Sequence, residues 1–177
     1  MSIMVNSEVW YMVSKQDLEE LESLDRSLIK RILTVPFSTP TAALYLETGT
    51  MRIGTLMKAR RLNYLHYLIS ISKEEMLSRF FYCQWYTGKS YDWTTQVKKD
   101  IEDFEMSKHK SLKNRWASDR VIDIVASLSK RRWKNIVQEQ AEKFELRELL
   151  KMKDMNSPVK MKYLKYTRLK LQDYFSD

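Results

Sequence analysis

The stretch LYLETGTMRIGTLMKARRLNYLHYL (Leu44–Leu68) decides the fold, because it joins a short helix, a turn and a long helix that is apolar on two sides. On a helical wheel one arc of the long helix holds Ile53, Met57, Tyr64, Leu68 and Ile71, and a second arc holds Leu62, Leu65 and Ile69. A helix with two apolar arcs is expected to lie buried between other helices. Two arginines, Arg60 and Arg61, fall inside or beside the first arc, where a charge needs a partner.

The composition favours a mostly α protein built as a cluster of short to medium helices. Apolar residues make up 44% of the 177 residues, and the chain contains only three Gly and three Pro. One stretch departs from the helical pattern. Residues 2–13, SIMVNSEVWYMV, are rich in β-branched and aromatic types and predict an N-terminal extended or strand segment.

The helix boundaries can be predicted from caps and apolar periodicity. Ser14 is expected to open a helix that ends near residue 33, with an apolar stripe at Leu18, Leu21, Leu24, Leu28, Ile29 and Ile32. A second helix is expected from Thr39 to Gly49. Further helices are expected after the capping box at 72–75, near residue 93, and after Ser118 and Ser129.

Arg60 and Arg61 have two interpretations. Asp25 lies in the apolar stripe of the first helix and Glu47 lies at the end of the short helix, so either carboxylate could neutralise an inward arginine. We expect such structural pairs, and direct contact with a nucleic-acid backbone remains the alternative.

The net charge of +8 is distributed unevenly. Residues 107–177 hold 18 Lys and Arg against 9 Asp and Glu, whereas residues 1–71 and 72–106 have net charges of +1 and −2. A basic portion of this kind favours an anionic partner, nucleic acid first and a membrane surface second.

Three basic groups are candidate nucleic-acid-binding residues. The first stands at a predicted helix start beside Trp133, where cations and free N–H groups can hold phosphates; it comprises Lys130, Arg131, Arg132 and Lys134. The others are Lys98 with Lys99, and Lys113 with Arg115 in the basic segment SKHKSLKNRWA (107–117). The alternative for each group is a solvated face with Trp133 in the core.

No pattern of catalytic or metal-binding residues is found in the sequence. His66 and His109 stand apart without paired carboxylates, and Asp100 with Asp103 is expected to form a solvated face. Phosphate-loop, dinucleotide and nucleophile-elbow motifs are absent from the sequence. We therefore expect no enzyme activity, no metal, no cofactor and no small-molecule substrate.

The single cysteine, Cys83, is expected to be a buried thiol. With one cysteine, no secretory leader and no apolar run of 18 residues, the chain is expected to be intracellular, nuclear or cytoplasmic, and not a membrane protein.

The order of several motifs resembles the region that follows the catalytic palm in reverse transcriptases of non-LTR (LINE-type) retrotransposons. The motifs are NSEVWY (6–11), LEELESLDRSLIKRIL (18–33), STPTAALYLETG (38–49) and RRLNYLHYL (60–68). The continuation is similar to these proteins at Leu77–Phe81, at Tyr91-Asp92-Trp93 and at Lys165–Tyr174. The likeness spans most of the chain and is thinner between residues 107 and 158.

The resemblance implies a thumb-like helical region with an N-terminal strand over 1–106 and a basic C-terminal helical region over 107–177. The palm carboxylates that hold two metal ions are missing from this chain. The chain is therefore expected to be a non-catalytic C-terminal remnant of such an element, with an RNA or DNA duplex backbone as its partner. Two alternatives stay open: a helical protein-interaction or structural module with no nucleic-acid role, and a partly folded chain without a selected function. The sequence leaves the oligomeric state open.

Overall fold

The computed structural model describes residues 6–10, 13–88 and 91–152. These residues form α-helices and short 3-10 helices and no strand, so the mostly α fold class is confirmed. The α-helices are α1 (Lys15–Ile32), α2 (Thr41–Thr48), α3 (Ile53–Ser70), α4 (Met76–Thr87), α5 (Trp93–Asp103), α6 (Val121–Ala126) and α7 (Lys130–Lys151). The 3-10 helices are Ser7–Val9, Met106–Lys108 and Ser118–Arg120.

The predicted N-terminal strand is not found in the described residues. Ser7–Val9 form a 3-10 helix, whereas residues 2–5 and 11–12 of the predicted strand lie outside the described residues. Side chains satisfy the backbone here in place of a neighbouring strand. The carbonyl of Glu8 accepts a hydrogen bond from Trp93 Nε1 at 2.8 Å, and the carbonyl of Trp10 accepts one from Arg61 Nη1 at 3.0 Å.

The chain divides into two compact units, each assembled from segments that are distant in sequence. Among the described residues, the first unit comprises residues 6–10, 13–14, 54–88 and 91–144, and the second comprises residues 15–53 and 145–152. The predicted boundary between residues 106 and 107 separates two regions along the sequence, whereas these two units are each built from distant segments. That boundary therefore stays a prediction.

The core of the first unit is built around α3, as its two apolar arcs predict. Leu62 and Leu65 are fully buried, and two polar residues of the same helix, Thr55 and His66, are buried as well, at 2% and 9% exposure. The ring of His66 is paired through Nε2 with the carbonyl of Leu128 at 2.9 Å, which satisfies its polar group inside the core.

The core of the second unit is smaller. Ala42, Tyr45 and Leu149 form its buried centre, against which partly buried side chains pack: Ile29, Leu46, Leu150 and Met152. Helix α2 ends at Gly49, whose φ of 65° lies in the left-handed region and lets its N–H reach the carbonyl of Tyr45 at 3.0 Å. The predicted C-terminal stop is thus confirmed, although α2 begins after Pro40 without the predicted Thr39 cap.

The apolar stripe predicted on α1 is not buried along its whole length. Leu24, Leu28 and Ile32 are 63%, 51% and 71% exposed, and no residue of α1 is fully buried. Helix α1 packs on the side of Ile29. A helix with neighbours on one side buries only the arc that faces them, so Leu28, about 100° from Ile29 around the helix axis, stays open.

Two expectations for α4 also fail. The predicted capping box at Ser72–Glu75 does not cap the helix. It forms a turn, in which Ser72 Oγ accepts the Glu74 N–H at 3.3 Å, and α4 begins only at Met76. Cys83 is exposed, because it lies on the face opposite to the buried Phe81 and Trp85.

Candidate nucleic-acid interface

The start of α7 is fixed by a serine cap and a buried tryptophan. Ser129 Oγ accepts the Arg132 N–H at 3.3 Å, as the sequence predicts for a cap. Trp133 is 1% exposed, and its indole Nε1 donates to the carbonyl of Leu62 in α3 at 2.8 Å. The first turn of α7 is therefore anchored in the core of the first unit, as the structural interpretation of Trp133 predicts.

The cations around that tryptophan point to solvent. Lys130, Arg131, Arg132 and Lys134 are all exposed. Among residues 6–10, 13–88 and 91–152, none of the four has a carboxylate partner within 4 Å, whereas Lys143 and Lys151 on the same helix pair with Glu139 and Glu148. A fixed turn with four solvated cations is suited to contact phosphates.

The basic segment 107–117 folds as successive turns that pack on α7. His109 and Leu112 are 2% and 0% exposed, and the N–H groups of Leu112 and Lys113 both donate to the carbonyl of His109 at 2.8 Å. Its basic side chains at Lys110 and Lys113 remain exposed.

His109 ties this segment to α7. The Ser111 N–H donates to His109 Nδ1 at 3.1 Å, so Nδ1 acts as an acceptor and Nε2 carries the proton that Glu139 Oε2 accepts at 3.0 Å. The hydrogen bond from Lys143 lowers the pKa of Glu139 to about 2, with His109 adding to the effect and partial burial opposing it. The sequence, in which His109 stands apart from any paired carboxylate, does not reveal this anchoring role.

Arg115 attaches the basic segment to the turn that precedes α7. Its Nη2 donates to Ser127 Oγ at 2.6 Å, and Ser127 Oγ donates to the carbonyl of Ile124 at 2.7 Å. Ser127 lies two residues before the cap of α7. We call the resulting set the basic surface; it comprises Lys110, Lys113, Arg115, Lys130, Arg131, Arg132 and Lys134. Residues 107–135 hold nine Lys and Arg against two acids, Asp119 and Asp123.

Lys98 and Lys99 are placed differently. Lys98 Nζ donates to the carbonyl of Trp85 at 3.1 Å and lies 4.9 Å from the centroid of its ring, so it joins α5 to α4. Lys99 is exposed. The hydrogen bonds and ion pairs of the described residues do not connect either lysine to the basic surface.

The structural role expected for Arg61 is found, but its expected partner is wrong. Arg61 donates from Nε to Asp100 Oδ2 at 2.6 Å and from Nη2 to Asp100 Oδ1 at 3.2 Å, and both side chains are buried. The solvated face expected at Asp100 is therefore also wrong, since Asp100 is 0% exposed. The position of Arg61 beside an apolar arc of the helical wheel predicts that its side chain points inward. It does not predict which distant carboxylate pairs with it.

The other residues that were expected to form structural pairs, Arg60, Asp25 and Glu47, are placed differently. Arg60 Nη1 donates to Ser7 Oγ at 3.2 Å. Asp25 accepts a hydrogen bond from the hydroxyl of Tyr45 at 3.0 Å, and Glu47 is exposed. Burial and the neighbouring Asp25 carboxylate raise the pKa of Tyr45 well above its ordinary value. The partner of Asp25 is thus a tyrosine of its own unit.

The part of the chain that the structure describes contains no group of three His, Cys, Asp or Glu side chains placed to hold a metal ion. No helix within it combines the length and the apolar character needed to cross a bilayer. Comparisons with protein-family models, with curated proteins and with solved structures give no match.

Proposed function

We propose that this chain is a non-catalytic nucleic-acid-binding protein that holds the backbone of a duplex, without sequence specificity, through the basic surface. The observation that carries the proposal is the Arg115–Ser127 hydrogen bond, because it attaches the basic segment 107–117 to the turn directly before the cations of α7. Its cations are exposed, and the four at the start of α7 lie on a turn that Trp133 anchors.

The expected mode of binding follows from the residue types. Lys and Arg side chains neutralise phosphates and release condensed counterions, which gives affinity without reading base edges. The order of motifs that resembles the post-palm region of non-LTR reverse transcriptases supports the same proposal. It favours a primer–template duplex as the natural ligand and a thumb-like role for the helices.

The test is binding of a primed RNA–DNA duplex at two salt concentrations by fluorescence anisotropy. The test variant combines Arg131→Gln, Arg132→Gln and Lys134→Gln. Each lost phosphate contact should flatten the slope of log K against log salt by about 0.9, so the slope should change by roughly 2 to 3. Affinity should fall by a similar factor for duplexes of different sequence.

A matched control removes the same charge elsewhere, with Arg79→Gln, Lys143→Gln and Lys151→Gln, which are also exposed. The control should bind nearly as the unaltered chain does. Binding that does not depend on salt, or an equal loss in both triple variants, would contradict the proposal.

A protein-interaction module is the second candidate. It is favoured by large apolar side chains that stay open on α4, where Met76, Phe80 and Tyr86 are 73%, 61% and 75% exposed. If the chain binds no duplex, replacing these side chains should instead weaken capture of its protein partner, while the basic-surface variants should leave that capture unchanged.

A further inference from the structure

Helix α1 carries an open apolar line on its outer side. Leu24, Leu28 and Ile32 follow one another at a spacing of four residues and are all more than half exposed. We call these three residues the α1 line. Such a line is typical of a helix that packs against another helix, because residues at this spacing form one ridge.

Another side of α1 is already occupied. Asp25 accepts a hydrogen bond from Tyr45, and Ile29 packs on the core of the second unit. Leu24 lies about 100° from Asp25, and Leu28 about 100° from Ile29, around the helix axis, whereas Ile32 at the end of the helix lies closer to the packed side. The Leu24 and Leu28 side chains are therefore directed away from the side on which α1 is packed, and Ile32 stands at its edge.

The end of α1 is held rigidly. The N–H of Val35 donates to the carbonyl of Lys30 at 3.1 Å, and the N–H of Thr34 donates to that of Arg31 at 3.2 Å. This is a Schellman closure in which Thr34 occupies the left-handed position, with φ of 54°. A partner would thus meet a preorganised helix, which lowers the entropic cost of association.

After Lys15, the first residue of the helix, charge along α1 is divided into two halves. From residue 16 to residue 25 the helix carries only acids, which are Asp17, Glu19, Glu20, Glu22 and Asp25. From residue 26 to residue 32 it carries only bases, which are Arg26, Lys30 and Arg31. A helix with this pattern is complementary to a second copy of itself that runs in the opposite direction.

We propose that α1 is a self-association surface on which two copies of this chain pair antiparallel about a twofold axis near residue 26. In that register Leu24 of each copy meets Leu28 of the other. Glu20 of each copy then lies beside Arg31 of the other, because both residues stand on the same flank of the α1 line. Glu20 and Arg31 are exposed.

The size of the surface sets the strength of pairing. The α1 line exposes on the order of 350 Å² of apolar surface per copy, which is within the range of the largest patch on a monomer. With its charged flank the interface stays near the lower end of specific complexes, about 1,000 Å² in total. The dimer is therefore weak and depends on concentration and salt.

The test is sedimentation equilibrium of the full chain over a range of concentrations. The unaltered chain should shift from 21.3 kDa toward twice that mass as concentration rises. Leu28→Glu should hold it at the monomer mass, while Phe80→Glu on α4, a residue that is 61% exposed, should leave the dimer intact. Glu20→Arg and Arg31→Glu should each weaken the dimer at least tenfold, and the two changes together should restore it.

The double variant Glu20→Arg with Arg31→Glu distinguishes the α1 pair from a dimer formed through another surface. Only a twofold α1 pair regains its ion pairs when both charges are reversed in the same chain. A chain that stays monomeric at every concentration overturns the proposal. So does a dimer that survives Leu28→Glu, or a double variant that is no better than the single ones. A further check introduces Leu28→Cys in a Cys83→Ser background and measures how fast the new thiol of the monomer reacts with a water-soluble reagent. A slow reaction also overturns the proposal, since the α1 line is then covered within one copy.

Discussion

Replacing Arg61 should destabilise the first unit more than replacing any other cation of α3. Arg61→Met removes two hydrogen bonds to Asp100 and one to the carbonyl of Trp10. It leaves the Asp100 carboxylate, which is 0% exposed, with only the Gln96 amide at 3.1 Å as a donor among the described residues. A buried carboxylate without its counter-charge is the costly product of this substitution.

The magnitude follows from the burial of both partners. Breaking a buried ion pair by removing one member costs about 3 to 5 kcal/mol. Because a chain of this length loses roughly 2 to 4 °C in Tm for each kcal/mol, Arg61→Met should lower Tm by about 10 °C. The double variant Arg61→Met with Asp100→Leu removes both charges and should be more stable than either single variant.

The assay is thermal unfolding followed by far-UV circular dichroism, with Lys58→Met as the control. Lys58 also forms an ion pair, with Asp103, but the two side chains are 21% and 29% exposed. A pair of this kind should contribute less than about 1 kcal/mol. Equal losses for Arg61→Met and Lys58→Met, or a double variant whose loss equals the sum of the single losses, would refute the reasoning.

Three further predictions concern single residues. Thr34→Gly should raise the stability of the second unit by about 1 kcal/mol in urea unfolding, because Thr34 has a φ of 54° that a β-branched residue adopts at a cost; a loss of stability would contradict this. Ser78→Ala should be neutral or stabilising by about 1 kcal/mol, since the Ser78 hydroxyl is buried and finds no hydrogen-bond partner in the described part of the chain; a clear destabilisation would reveal a missed partner. For Glu139, whose pKa is about 2 against an ordinary 4.5, the stabilisation by Lys143 and His109 should be complete above about pH 4.5 and disappear as the pH falls to 2. The difference in stability between the unaltered chain and Glu139→Gln, measured from pH 7 to pH 2, should therefore be constant down to pH 4.5 and then vanish; a difference that disappears already at pH 6 would contradict it.

Much of the helical framework could be predicted from local sequence. Helix α3 over Ile53–Ser70 follows from its two apolar arcs, and α7 follows from the cap at Ser129 and the periodicity that buries Trp133. These features depend on residues within a few positions of one another. Local periodicity and capping are therefore sufficient to identify them.

The candidate interface could be predicted only in part. The exposed cations around Trp133 were identified from composition and spacing, but their proximity to Arg115 depends on the hydrogen bond to Ser127. That bond joins residues 12 positions apart across α6, and no periodic pattern specifies it. The sequence likewise does not predict that Lys98 contacts Trp85 instead of joining the basic surface.

The sequence by itself determined that this chain is helical, where most of its helices begin, and that Arg61 turns inward. The tertiary structure decided that Asp100 is the partner of Arg61, that Cys83 is exposed and that the Leu24–Leu28 side of α1 stays open. The physical reason is that helix formation is governed by neighbours within one or two turns. Burial and ion pairing instead depend on which distant elements meet, and a single helix has no means of specifying which of its apolar arcs will find a neighbour.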